Sequence, residues 1–135
     1  MKYLILIILL TLNLNAKAES VPEIADPKLN DVALAIYVEG EIVILYNPNF
    51  CNMLGPLVCK FFLAHEYGHI NLGHVLTGTY SAQTDLEADC WAVKNAPLLH
   101  VQAAHQHFLK DGFMGNWPHG TGVKRAERMS YCSAF

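Results

Sequence analysis

The sequence predicts an α+β fold, a small N-terminal hairpin packed on helices, and three observations support it. Two runs of β-branched and aromatic residues, 32–38 and 42–46, flank Glu39-Gly40-Glu41. From Pro56 onward, apolar residues recur at three- and four-residue steps. Ser81, Pro97 and a run of glycines then divide the helical pattern into pieces of ordinary length.

In chain order, residues 19–30 carry Pro22, Pro27 and several acids, and read as an extended arm. The two strands follow, joined through the Gly40 turn, and Asn47-Pro48-Asn49 ends the hairpin. Leu57, Phe61, Ala64, Gly68 and Leu72 trace one face of a first helix that begins at Pro56 and stops near Gly78. Ser81 is placed to cap a second helix running to Asn95, where Pro97 halts it. A third helix is expected over 98–110. Beyond it lies a loop with Gly112, Gly115, Pro118, Gly120 and Gly122, and then a short helix over 123–131. Phe61, Phe62 and Trp91 read as core aromatics.

The 135 residues are 53% hydrophobic and carry a formal charge of −3. Much of the apolar excess lies at the start. Lys2, the greasy run from Tyr3 to Leu10 and the small residues Ala16 and Ala18 fit a secretory signal peptide cut after Ala18, too short for a membrane span. Residues 19–135 are then one domain, with 7 basic and 12 acidic side chains. A mildly acidic chain without Lys/Arg runs is a poor partner for nucleic acid. A monomer in the periplasm or medium, with no membrane insertion once the signal is cut, is expected. Cys51, Cys59, Cys90 and Cys132 all lie in the exported part, so two disulfides are expected. The short Cys51–Cys59 loop is the first choice, which leaves Cys90 with Cys132.

His65-Glu66-Tyr67-Gly68-His69 is an H-E-x-x-H motif within the first helix. Four residues make a little over one turn, so both histidines project from one face and can share a zinc ion, with Glu66 beside them as a base. Catalytic zinc needs a third ligand and an open position. A metzincin would require glycine at position 72 and histidine at 75; Leu72 and Val75 stand there. The next helix instead offers Asp85-Leu86-Glu87-Ala88-Asp89. Asp85 and Asp89 share a face, so one can ligate while the other orients a ligand histidine. Glu87 lies some 200° from Asp85 around the helix.

H-E-x-x-H followed by this acidic helix resembles the gluzincin peptidases of the CAAX-prenyl-protease and heat-shock-protease type, and especially the small soluble minigluzincins. Their E-x-x-A-D segment supplies a glutamate ligand and an aspartate that holds the first histidine. The resemblance implies a compact zincin-like domain with one zinc ion on His65, His69 and Asp85, and with Asp89 behind His65. The sequence departs from the family in having Asp85 where glutamate is usual, and Glu87 is the alternative ligand. His119, ahead of Lys124-Arg125-Ala126-Glu127-Arg128, resembles the family histidine that stabilises the oxyanion, although no proline follows it.

The expected activity is zinc metallopeptidase action on a peptide or protein substrate, through a zinc-bound water with Glu66 as general base. The hairpin would align an extended peptide by main-chain pairing. A non-catalytic zinc-stabilised protein-binding module is the competing reading, and a fourth protein ligand such as His119 or His74 would mark it. Metal buffering through His74, His100, His105 and His107 is a third.

Overall fold

The computed structural model describes residues 20–111 and 121–132. The segment expected to be a signal peptide and the loop bearing His119 lie outside the described residues. Within them, a three-stranded sheet and six helices form an α+β fold.

Strands β2 (Ala33–Val38) and β3 (Glu41–Tyr46) make the expected hairpin, with Ala35 opposite Ile44. Glu39 and Gly40 both take positive φ, 51° and 91°, as a two-residue type I′ turn requires. The arm before the hairpin is not merely extended. Its residues Glu23–Ala25 form β1, which pairs parallel with β3 and leaves β2 as a free edge. Ala33, Ala35, Ile42, Ile44 and Tyr46 turn one sheet face toward Leu63 and Val75, as the two-residue period of a strand demands.

Asn47 does more than end the hairpin. Its side chain accepts from the backbone N–H groups of Asn49 and Phe50, and Pro48 occupies the first turn, so a short helix α1 (Pro48–Leu54) starts there. Helix α2 (Pro56–Asn71) carries the H-E-x-x-H motif but ends before Gly78. Gly73, at φ 80°, breaks it and starts the single turn α3 (His74–Thr77). Helix α4 (Ala82–Asn95) opens on the expected Ser81 cap, which is a full capping box with Thr84. Helices α5 (Leu98–Asp111) and α6 (Gly122–Cys132) complete the chain.

Phe61, Phe62, Ala92, Phe108, Ala126 and Met129 bring α2, α4, α5 and α6 into one core. Phe108 meets the edges of both Phe61 and Phe62, at centroid separations of 6.2 and 5.9 Å. Trp91 is only half buried, at the rim of a groove with Tyr67 and Pro97, and not in this core. The disulfides are Cys51–Cys59, joining α1 to α2, and Cys90–Cys132, joining α4 to α6. They fit an exported protein, and no described helix is long and apolar enough to cross a membrane.

One helix contact positions the site. At Gly68 a Cβ would stand 2.8 Å from the Ala88 carbonyl oxygen and 2.9 Å from its Cα. Helices α2 and α4 therefore touch backbone to backbone, which glycine and the fully buried Ala88 permit. Glycine inside a helix costs about 1 kcal/mol against alanine, and close approach is what it gives in return.

Candidate metal centre

His65 and His69 leave the inward face of α2 one turn apart and meet Asp85 from the first turn of α4. All three are buried. Their Nε2 atoms are 3.1 Å apart, and Asp85 Oδ1 lies 3.6 Å from His65 Nε2 and 3.4 Å from His69 Nε2. Donors about 2.0 Å from a tetrahedral ion stand about 3.3 Å from one another, so the triangle is the right size to hold one metal. The donor types, two imidazoles and a carboxylate, suit zinc-like ions. Asp85, and not the alternative Glu87, is brought to the imidazoles, because α4 turns the Glu87 carboxylate to its outer side.

Behind His65 stands Asp89. Its Oδ1 lies 2.8 Å from His65 Nδ1, and Arg125 of α6 grips the same carboxylate, Nε to Oδ2 at 2.9 Å and Nη2 to Oδ1 at 2.8 Å. The guanidinium is buried, 4.5 Å over the Phe108 ring and 5.1 Å over that of Phe62. Burial by itself would neutralise each group, and mutual attraction overrides it. The Asp89 carboxyl is held well below the usual carboxylate range by Arg125 and His65, and Arg125 is pushed up in turn by Asp89. Burial would lower the His65 pKa, but the Asp89 charge and the hydrogen bonds that His65 gives to Asp85 and Asp89 outweigh it and raise the value to about 9. This shift favours the imidazolium form of His65 in the metal-free protein, so a proton competes with an ion for its Nε2.

His69 has a different support. Its Nδ1 lies 3.0 Å from Nδ1 of His74, and His74 Nε2 lies 3.1 Å from Glu87 Oε2. Gln83 donates to the other Glu87 oxygen at 2.9 Å. His74 thus meets His69 from behind and does not enter the triangle. The extra histidines of α5 gather no second cluster among the described residues; His105 instead meets Ser130 at 3.2 Å.

Glu66 sits at the front of the site. Its Oε2 accepts from the Ala35 N–H of β2 at 2.8 Å, and its Oε1 lies 4.0 Å from His65 Nε2. The Tyr80 hydroxyl donates to the Ala35 carbonyl at 2.9 Å, and its ring lies 5.5 Å from that of His69. Burial, with the Glu66 charge, raises the phenol pKa and keeps it a donor. Ala35 therefore turns both main-chain groups away from β3 and gives them to site side chains.

Three residues here were not assigned by sequence reading. Arg125 falls on the inner stripe of α6 with Ala126, Met129 and Cys132, a spacing that marks the position as buried, Gly68 counted only as one step in a helical stripe, and His74 read as a surplus histidine or a fourth ligand. No family model matches the chain, and neither the curated proteins nor the solved structures yield a match.

Proposed function

We propose that the chain is a small zinc metallopeptidase of the gluzincin type, with a zincin-like fold. The observation that carries this reading is the buried triangle of His65, His69 and Asp85 with the Glu66 carboxylate beside it. Asp89 behind His65 supports it further, because ligand histidines are held through their second nitrogen.

When bound, zinc supplies Lewis acidity, acidifying water and polarising a carbonyl. The chain's own residues do the rest. The Ala35 N–H fixes one Glu66 oxygen, which aims the other at the ligand triangle. Glu66 there takes a proton from the attacking water and passes it to the departing amine nitrogen as the C–N bond breaks. β2, an edge strand held at Ala35 by Glu66 and Tyr80, gives an extended peptide a strand to pair with where it displaces Tyr80. A substrate N–H would take the Ala35 carbonyl from Tyr80, leaving that hydroxyl beside the reacting carbonyl.

The test is Glu66→Gln. Oxidised, zinc-loaded protein is incubated with a pool of unfolded peptides, and new termini are read by mass spectrometry. The variant is expected to keep its zinc and lose turnover by 100-fold or more, roughly the loss expected for a missing general base. Equal cutting by both proteins would refute the mechanism. No cutting by either, with zinc bound, would favour the non-catalytic binding module, for which the occupied Ala35 edge is the supporting observation.

A further inference from the structure

We propose that His74 and Glu87 are positioning residues of the metal centre: Glu87 orders His74, and His74 sets the ring orientation and tautomer of His69. The inference rests on the reading of His65, His69 and Asp85 as ligands and extends it to a part of the chain that the motif does not include.

The backbone creates the contact. Helix α2 breaks at Leu72, and Gly73 in the left-handed region turns the chain so that the first residue of α3 falls back on the last turn of α2. His74 is buried there, 3.0 Å from His69 through the Nδ1 atoms of both rings. Two ring nitrogens at that distance share one proton, so one donates and the other accepts.

Glu87 decides which. A carboxylate accepts only, so His74 Nε2, 3.1 Å from Glu87 Oε2, carries a hydrogen. A His74 ring with its one hydrogen on Nε2 has a bare Nδ1, which accepts from His69 Nδ1–H. His69 must in consequence present the lone pair of Nε2 to the triangle, as a metal ligand has to. With the opposite order, an N–H would point at the ion position. Both ligand histidines are therefore backed by a carboxylate, His65 directly through Asp89 and His69 through an intervening imidazole. Gln83, one turn before Glu87, holds that carboxylate at 2.9 Å.

Two measurements on the full oxidised chain test this. The first is long-range 1H–15N spectroscopy of the metal-free protein, which reads histidine tautomers. His69 is expected with hydrogen on Nδ1 in the wild type, and with hydrogen shifting to Nε2 in His74→Phe. The second is zinc affinity, by competition with a chromophoric chelator. His74→Phe is expected to weaken binding roughly 10–100-fold, the usual effect of losing a group behind a ligand. His74→Asn places an amide oxygen near the lost Nδ1, and should recover most of that affinity. Glu87→Ala should cost about fivefold, less than loss of the histidine itself.

Should His74→Phe fail to fold, Glu87→Ala decides the matter, since its side chain is 44% exposed and its removal leaves no core void. Unchanged zinc affinity in both variants would overturn the inference, as would wild-type His69 with hydrogen on Nε2. A wild type that binds no zinc would refute the metal centre itself, and the tautomer of His69 would still decide the His74 contact.

Discussion

Replacing Gly68 by alanine tests how the helices that carry His65, His69 and Asp85 depend on one another. The new Cβ would stand 2.8 Å from the Ala88 carbonyl oxygen, whereas ordinary contact begins at 3.4 Å. The three obstructing atoms, O, Cα and C of Ala88, are all backbone, so no side chain can swing aside, and α4 must retreat by about 0.5 Å, a distance at which site geometry begins to fail. Asp85 and Asp89 ride on that helix, on either side of Ala88. The Asp85 separations of 3.4 and 3.6 Å would open toward roughly 4 Å, more than one zinc ion spans at normal bond lengths. Overpacking costs about 1–3 kcal/mol, while alanine regains about 1 kcal/mol of helix propensity, so the net loss of stability is small. Zinc affinity has no such offset and should fall by roughly 10–100-fold. Chelator competition and thermal melts of metal-free protein separate the two effects. A variant that binds zinc as tightly as wild type, and melts higher, would show that the close approach of α2 and α4 does not set the site.

Further expectations concern charge and covalent ties. Since the folded state raises His65 from 6.5 to about 9, its favourable contribution to metal-free stability is complete below pH 6.5 and is lost as pH rises through 9. Zinc must expel that proton, so apparent affinity should climb by about tenfold per pH unit up to the same limit, with proton release visible in weakly buffered titrations. Asp89 behaves oppositely: its pKa is depressed, so the stability it gives is present above the usual carboxylate range and fades as acid is added. Arg125→Met strands a buried carboxylate and should cost about 3–5 kcal/mol in urea unfolding, with Asp89→Asn in the same chain recovering much of it. Removing the Cys90–Cys132 bridge, which spans 42 residues, should cost about 4 kcal/mol by loop entropy, against about 2.5 kcal/mol for Cys51–Cys59.

Periodicity and punctuation made much of this fold legible. The hairpin, the Ser81 cap and the stop at Asn95 all follow from local chemistry, and so does the meeting of His65 and His69 on one helix face. Asp85 and Asp89 could be named because a four-residue spacing fixes their common side of α4. What was hidden depends on chain direction and packing. Asn47-Pro48 ends a strand and starts a helix at once, and either reading uses the same residues. The apolar spacing of Leu72 and Leu76 runs on through Gly73, although the backbone turns there. The partners of Arg125 and His74 follow from how α6 and α3 dock, which no local pattern encodes, although the spacing of Ala126, Met129 and Cys132 already puts Arg125 on the inner face.

Ala35 has one more consequence. Strand β2 is one of the two rims of the sheet, and such rims invite other chains to add a strand, the usual beginning of aggregation. In this protein the middle of that rim is stoppered: Glu66 takes the N–H and Tyr80 the carbonyl, so a second molecule finds no unclaimed partner at Ala35. The fold thus guards this edge with the side chains that stand over its candidate metal site. Variants that lose either contact should be prone to self-association at concentrations where the parent stays dispersed.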